Sequence, residues 1–463
     1  MSVASQSAGK AQNPYRSASV IACVASILLL AGLLRALGVS LVTPALVFGV
    51  AALLWTAFRH PTFCLGATLA FMPIYPLAIL LGKFFGPPFM MSDVVTACDR
   101  IVLLLITCVL WWRNGIKFKT PDWILLACFG LAVVRLAFGG MLMALLRDFN
   151  FMIAYAAGRV AVLTATQEQT WARRAVWIVA ILAMLGLTEV FIIGEVPRGM
   201  LYSSVAEGAT DGGALNAAFH GEGFTGLRES ATMFGPLQFA PLCMAALIVW
   251  WVYRRNPWPG GMIAVGLICT VTRSAWLGTA LAIPLLAVAT RQKKRFLLYA
   301  TLALALFIAL IPVVGLGDYL FATRKGQDPS AQGHQESIVM GMNYALDHPL
   351  GSGPGNAGMY DFKNNRNSVW IENTYLTLAA EYGIATSLCF VGFLVSALWV
   401  AWRERTRLGY AAIGILVGFG TVMFIMPAHD VFSLATWIWF PVGLAVRFSG
   451  SASGSWLPRK AAA

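Results

Sequence analysis

The stretch MFGPLQFAPLCMAALIVWWVY, residues 233–253, carries no charge along its whole length and is closed by Arg254 and Arg255. As a helix rising about 1.5 Å per residue it is about 30 Å long, the thickness of a bilayer hydrocarbon core. Apolar runs of the same kind recur on both sides, at 20–37, 41–58, 63–81, 96–112, 123–137, 149–165, 175–193, 261–271, 276–289, 296–314, 374–399, 410–426 and 434–446. In lipid, helices satisfy the backbone over such lengths, whereas a barrel would show alternating segments of about ten residues. The expected fold class is therefore all-α, a polytopic bundle of about 12–14 transmembrane helices.

Composition agrees. Hydrophobic residues make up 59% and charged residues 11%, whereas a soluble domain carries about 25% charged residues. The chain reads as one integral membrane domain over 1–463. Its polar start, Met1 to Arg16, leads into an apolar run without a small-residue cleavage site, so that run is expected to be a retained first helix. The net charge of +13 sits mainly in short clusters between apolar runs: Lys117 and Lys119, Arg173 and Arg174, Arg254 and Arg255, residues 291–295, and residues 403–407. Alternating spans put all of them on one side, and the positive-inside rule makes that side the cytoplasm. Both termini are then cytoplasmic, and the basic excess is explained without nucleic acid.

Two long loops, 195–229 and 315–373, fall on the opposite side, as does the turn at His429 and Asp430. The eight cysteines lie in or beside apolar runs with no CxxC pair, and His220, His334, His348 and His429 show no metal-ligand spacing. Neither a disulfide framework, a metal nor a cofactor is expected.

The second loop far exceeds the length of about 12–15 residues beyond which loops tend to be functional. Within it SIVMGMNYAL, 337–346, places Ile338, Met342 and Ala345 or Leu346 at helical spacing, so an amphipathic helix near the membrane surface is expected. DHPLGSGPGN, 347–356, follows as a tight irregular turn. Its glycines would let amides approach a phosphate, but no GK[ST] is present and a corner shaped by Gly and Pro accounts for it better. In WIENTYLTLAAEYG, 370–383, Glu372 and Asn373 stand at the outer mouth of an apolar helix. Glu381 lies about two turns deeper, on the other face if the helix is continuous, so the two carboxylates are not expected to act together. A carboxylate inside a span needs a cavity or a partner, which makes Glu381 a candidate in its own right. For Glu372 a helix-start carboxylate favoured by the dipole is an equal reading. Arginines are the other signal. Arg135 and Arg159 lie within spans, Arg228 stands where the first long loop enters a helix, and Arg273 lies at a tight outer turn. Each alone reads equally as a snorkelling or paired side chain, but together their forked guanidinium groups suit a diphosphate.

Taken in order, TRSAWLG (272–278), a loop helix ending in DHPLGSGPGN, and ENTYLTLAAEYG (372–383) resemble the signature core of the bacterial O-antigen ligase and polysaccharide polymerase superfamily, from Arg228 to Gly383. The resemblance implies a metal-independent inverting glycosyltransferase of the bacterial inner membrane. Its donor would be a glycan on undecaprenyl diphosphate, and its acceptor a glycan hydroxyl, on lipid A core or a lipid-linked repeat, at the periplasmic face. Membrane lipids and polysaccharide assembly proteins are the implied surroundings. Arg228 and Arg273, with Arg159 as a third, are implied at the diphosphate, and Asn373, Tyr375, Glu381 and His348 as supporting residues. One departure stands out: where members read His-Asn, this chain reads Glu372-Asn373. The base is therefore expected to be Glu372 itself, or His334 from the same loop. Transport of a lipid-linked sugar or small anion is the alternative class, since intramembrane arginines also line substrate paths, although no related halves are apparent.

Overall fold

A computed structural model describes residues 52, 55–85, 98–194, 228–233, 235–253, 256–314, 329–357, 369, 371–429 and 431–448. Residues 1–64 and 65–463 form two compact units. In the first, the described chain is helical around Trp55 and Arg59, whose guanidinium lies 4.8 Å over the Trp55 ring. The expected span 20–37 lies outside the described residues, and so do residues 41–51, 53 and 54 of the span 41–58.

The second unit is helical throughout, with no strand among the described residues. In chain order the helices are α1 (Pro61–Phe71), α2 (Tyr75–Phe85), α3 (Cys98–Asn114), α4 (Thr120–Ala137), α5 (Leu142–Asp148), α6 (Phe151–Val160) and α7 (Ala165–Thr188), which runs on as a π turn, Glu189–Ile193. They continue as α8 (Pro236–Tyr253), α9 (Pro257–Cys269), α10 (Arg273–Ala289), α11 (Lys293–Val314), α12 (Pro329–Asp347), α13 (Thr374–Tyr382), α14 (Ile384–Glu404), α15 (Arg407–Ile425) and α16 (Phe432–Phe448). Among the described residues six helices are long and apolar enough to cross a membrane, or seven if the bent pair α1 and α2 counts as one span. The chain is a polytopic helical membrane protein.

Local chemistry explains where helices begin. Thr164 and Gln167 form a reciprocal cap on α7, Asn256 caps α9, and Thr406 accepts the Gly409 amide at the start of α15. Two expected spans are broken. Residues 63–81 are not one helix, because α1 and α2 bend by 64° around Pro73, with Pro76 just beyond; a proline inside a helix lacks the amide and crowds the preceding turn. Residues 374–399 divide at Gly383, whose φ of 93° no continuing helix can hold. The run 149–165 yields only the short α6, preceded by α5, a helix with no counterpart in the expected spans.

Burial sorts the bundle. α8 and α15 are the most enclosed of the long helices, whereas the apolar window of α11 contains no buried residue and belongs to the lipid side. Where helices cross most closely, glycines stand in for side chains, as is usual when packing in lipid depends on close backbone approach. At the α6–α16 crossing, a methyl on Gly443 would meet the Tyr155 carbonyl oxygen at 2.1 Å, and one on Gly158 would meet that of Phe440 at 2.2 Å. Both obstacles are backbone, so the helices would have to separate. Gly443→Ala is expected to lower thermal stability in detergent by about 1–3 kcal/mol, while Gly130→Ala, where a methyl meets nothing within 4 Å, leaves it unchanged or slightly raised. Thermal unfolding of the two variants checks this.

Candidate functional site

Arg273 is the first residue of α10, behind a turn that other groups hold rigidly. Arg228 spends its guanidinium on that turn, donating from Nε to the Thr270 carbonyl at 2.9 Å and from Nη2 to the Val271 carbonyl at 3.3 Å and Thr272 Oγ1 at 3.1 Å. The Glu229 amide donates to the Cys269 carbonyl at 3.0 Å. The Glu229 side chain is fully buried in a niche that a methyl on Gly186 or Gly266 would invade, at 2.5 and 3.1 Å from its carboxylate. Val271 takes the left-handed conformation, φ 50°, which a β-branched residue adopts only under constraint. The result is a half-buried arginine at a helix N-terminus, where the dipole and the first-turn amides favour an anion.

The second cluster joins two of the residues singled out from the sequence. His334 Nδ1 pairs with Glu372 Oε2, and both side chains keep solvent access, at 35% and 25% exposure. α12 is seated by its Ser337, Gly341 and Ala345 edge. Glycine at 341 lets the helix close on Ile371, since even a methyl there would approach that side chain to 3.1 Å. Ser337 Oγ accepts the Glu372 amide at 2.8 Å, which locks the register between the loop helix and the mouth of α13. The expected helix at 337–346 is part of this longer α12, and its Met342 and Leu346 stay exposed rather than packing on the protein.

Met426 brings the two clusters to one end of the bundle. Its carbonyl accepts from Thr374 Oγ1 at 3.2 Å, two residues beyond Glu372, and its sulfur lies 3.8 Å from Ser274 Oγ, next to Arg273. Asn373 caps α13, accepting the Leu376 amide at 3.0 Å and donating to the Phe424 carbonyl at 2.8 Å. Tyr375 donates to the Gly420 carbonyl at 3.1 Å. Both fix α13 against α15.

The Gly-Pro turn is sealed onto the break between α13 and α14. The Ser352 and Gly353 amides donate to the Ala380 and Glu381 carbonyls at 2.7 and 2.9 Å, and the Gly355 amide donates to Glu381 Oε2 at 3.0 Å. Arg135 Nε holds the Gly351 carbonyl at 2.9 Å, and the Met141 amide holds that of Pro354 at 2.8 Å. With these amides aimed at protein acceptors, the turn is a structural corner and not a phosphate cradle. Glu381 is its buried anchor, close to a second group in which Asp148 accepts from Tyr382 at 2.8 Å and pairs with Arg147. His348, at the end of α12, is exposed and stacks on Tyr344 with ring centroids 4.4 Å apart.

Arg159 is not part of this end. Only 2% exposed, it makes a forked pair with Asp122, at 2.8 Å from Nε and 2.7 Å from Nη2, and also donates to the Lys117 carbonyl. Arg447, near the far end of α16, donates to its carbonyl. The α15–α16 turn that carries Met426 and the Arg447 end are separated by α16, roughly 20 Å at 1.5 Å per residue. Arg159, expected from the sequence to join Arg228 and Arg273, is engaged here by Asp122. A guanidinium in a span needs a partner, and here Asp122 is that partner. His220 lies outside the described residues.

Ser337, Met426 and Glu229 were not anticipated from the sequence. Glu229 alone left a signal there, a carboxylate beside Arg228 at the edge of an apolar run. Among the described residues no three His, Cys, Asp or Glu side chains converge so as to hold a metal ion.

No match is found among curated proteins. A family model does match, over under a third of the chain; it includes Arg273, His334, Glu372 and Glu381 but leaves out Arg228 and Arg159. Residues 258–391 match the O-antigen ligase family, and that match supports a membrane enzyme of the polysaccharide ligase or polymerase type.

Proposed function

We propose that the protein transfers a glycan from undecaprenyl diphosphate to a glycan hydroxyl at the periplasmic face of a bacterial inner membrane, with both termini in the cytoplasm. The observation that carries this reading is the His334–Glu372 pair standing at the same end of the bundle as the Arg273 turn. An inverting displacement needs a base at the acceptor hydroxyl and positive charge where the diphosphate departs. With Nδ1 held by Glu372, the imidazole presents Nε2 to the acceptor. As the acceptor oxygen bonds to the anomeric carbon, its proton passes to Nε2, and the bond from that carbon to the phosphate oxygen breaks. The leaving diphosphate takes the electron pair and is met by Arg273 and the first amides of α10, so cationic side chains do the work of a divalent ion. Glu372 stabilises the imidazolium that forms. The histidine missing from the start of α13 is thus supplied from α12.

The test is complementation of a deletion strain with wild type and Arg273→Ala, followed by analysis of surface polysaccharide and lipid-linked intermediates. Wild type restores the glycan and Arg273→Ala does not. Accumulated single repeats identify a polymerase, and full chains left on the lipid identify a ligase. Normal glycan from Arg273→Ala would refute the assignment.

A further inference from the structure

At the end of α10 opposite Arg273, about 25 Å away along the helix, the connection to α11 sets four cations in five residues. Arg291, Lys293, Lys294 and Arg295 are all exposed and, with Gln292, line an open cavity of about 480 Å³. By contrast, Arg147 is engaged by Asp148, Arg159 by Asp122 and Arg228 by carbonyls. Among the described residues none of these four forms a salt bridge with a carboxylate.

Their placement is locally unfavourable in three ways. Arg291 sits at φ 56°, in the left-handed conformation, where the turn closes back on the Val288 carbonyl; glycine is the ordinary occupant of such a position after a helix. Lys293, Lys294 and Arg295 fill the first turn of α11, at the positive end of the helix dipole. Four like charges also repel one another in so short a segment. A topogenic signal needs cations near the span ends, but not three of them in a first helical turn. A phosphate anion offsets the two electrostatic penalties at once, and Arg291 lines the same cavity as the first-turn cations.

We propose that residues 291–295 dock the phosphate headgroups of anionic phospholipids in the leaflet at that end of the bundle. The surroundings favour a lipid over a free anion. The span from Lys293 has no buried residue in its apolar window, and Leu297 and Leu298, directly below the cations, are 64% and 57% exposed, so acyl chains border the cavity. Tyr299 packs on Trp250 and Trp251, at 5.4 and 6.1 Å between ring centroids, which holds the base of α11 in place. Cationic clusters at the end of a span attract anionic headgroups by just such surface electrostatics.

The test uses the full chain in nanodiscs of phosphatidylcholine, alone or with one third phosphatidylglycerol, read by thermal unfolding and by native mass spectrometry of retained lipid. Wild type is expected to gain several degrees in Tm with phosphatidylglycerol and to retain that lipid selectively. The triple variant Lys293→Gln, Lys294→Gln, Arg295→Gln loses both responses. Arg291→Gly, which relieves the left-handed strain, gains less from phosphatidylglycerol than wild type does. Indifference of wild type to phosphatidylglycerol, or an undiminished response in the triple variant, would overturn the proposal. So would millimolar inorganic phosphate reproducing the shift in phosphatidylcholine alone, because the site would then bind a free anion.

Discussion

His334→Ala is expected to lower glycan transfer by about 10²–10⁴-fold while the protein keeps its thermal stability, since the side chain lies on an accessible surface and its pair with Glu372 is 35% and 25% exposed. A surface ion pair of this kind contributes little to folding, about 0–1 kcal/mol. Glu372→Gln keeps the size of the side chain and removes the charge that orients the ring and stabilises the imidazolium. It should also slow transfer. The two variants together decide which residue takes the proton. If His334 is the base, His334→Ala is at least as damaging as Glu372→Gln. If Glu372 is the base, His334→Ala retains most of the activity. Transfer from purified lipid-linked donor, measured for both variants, separates these cases.

Removing one member of the Arg159–Asp122 pair should instead act on folding. Arg159→Ala leaves the Asp122 carboxylate, 4% exposed, with only neutral donors such as the Tyr155 hydroxyl and the Lys119 amide. Stranding a buried charge costs about 3–5 kcal/mol, enough to unfold many proteins, so the single variant is expected to accumulate poorly. The double variant Asp122→Asn, Arg159→Gln removes both charges and keeps hydrogen-bonding groups on each side. It is expected to recover folding and, because it lies at the end away from Arg273, to recover glycan transfer. A double variant that folds but is as inactive as Arg273→Ala would return Arg159 to the diphosphate. Detergent-solubilised yield, thermal unfolding and complementation are the three readouts.

These two predictions mark how much of the site was legible. Arg273 and Glu372 were readable as residue types at the outer ends of apolar runs and His334 as a histidine of the long loop between them, and the match over 258–391 agrees with the motif order seen there. Their grouping was not readable. His334 and Glu372 meet because Gly341 admits Ile371 and Ser337 receives the Glu372 amide, contacts between segments that share no periodicity. The partner of Arg159 was unreadable for the same reason, since mid-span position says that a partner is required but not which helix supplies it. The continuous helix expected over 374–399 missed the one glycine, Gly383, that ends α13 and lets the Gly-Pro turn close on Glu381.

By itself, the sequence determined that this chain is a helical membrane protein, which segments are apolar, and which ends are basic. Those properties follow from residues near one another in the chain: a span must satisfy its own backbone in lipid, and its length is set by the bilayer. Tertiary structure alone decided which polar groups face each other. A pairing across helices depends on crossing geometry, and that is set where glycines permit backbones to touch, as at Gly158 and Gly443, and where a buried charge must find its counterpart. The His334–Glu372 pair, the Glu381 anchor and the Arg159–Asp122 pair are all of this kind.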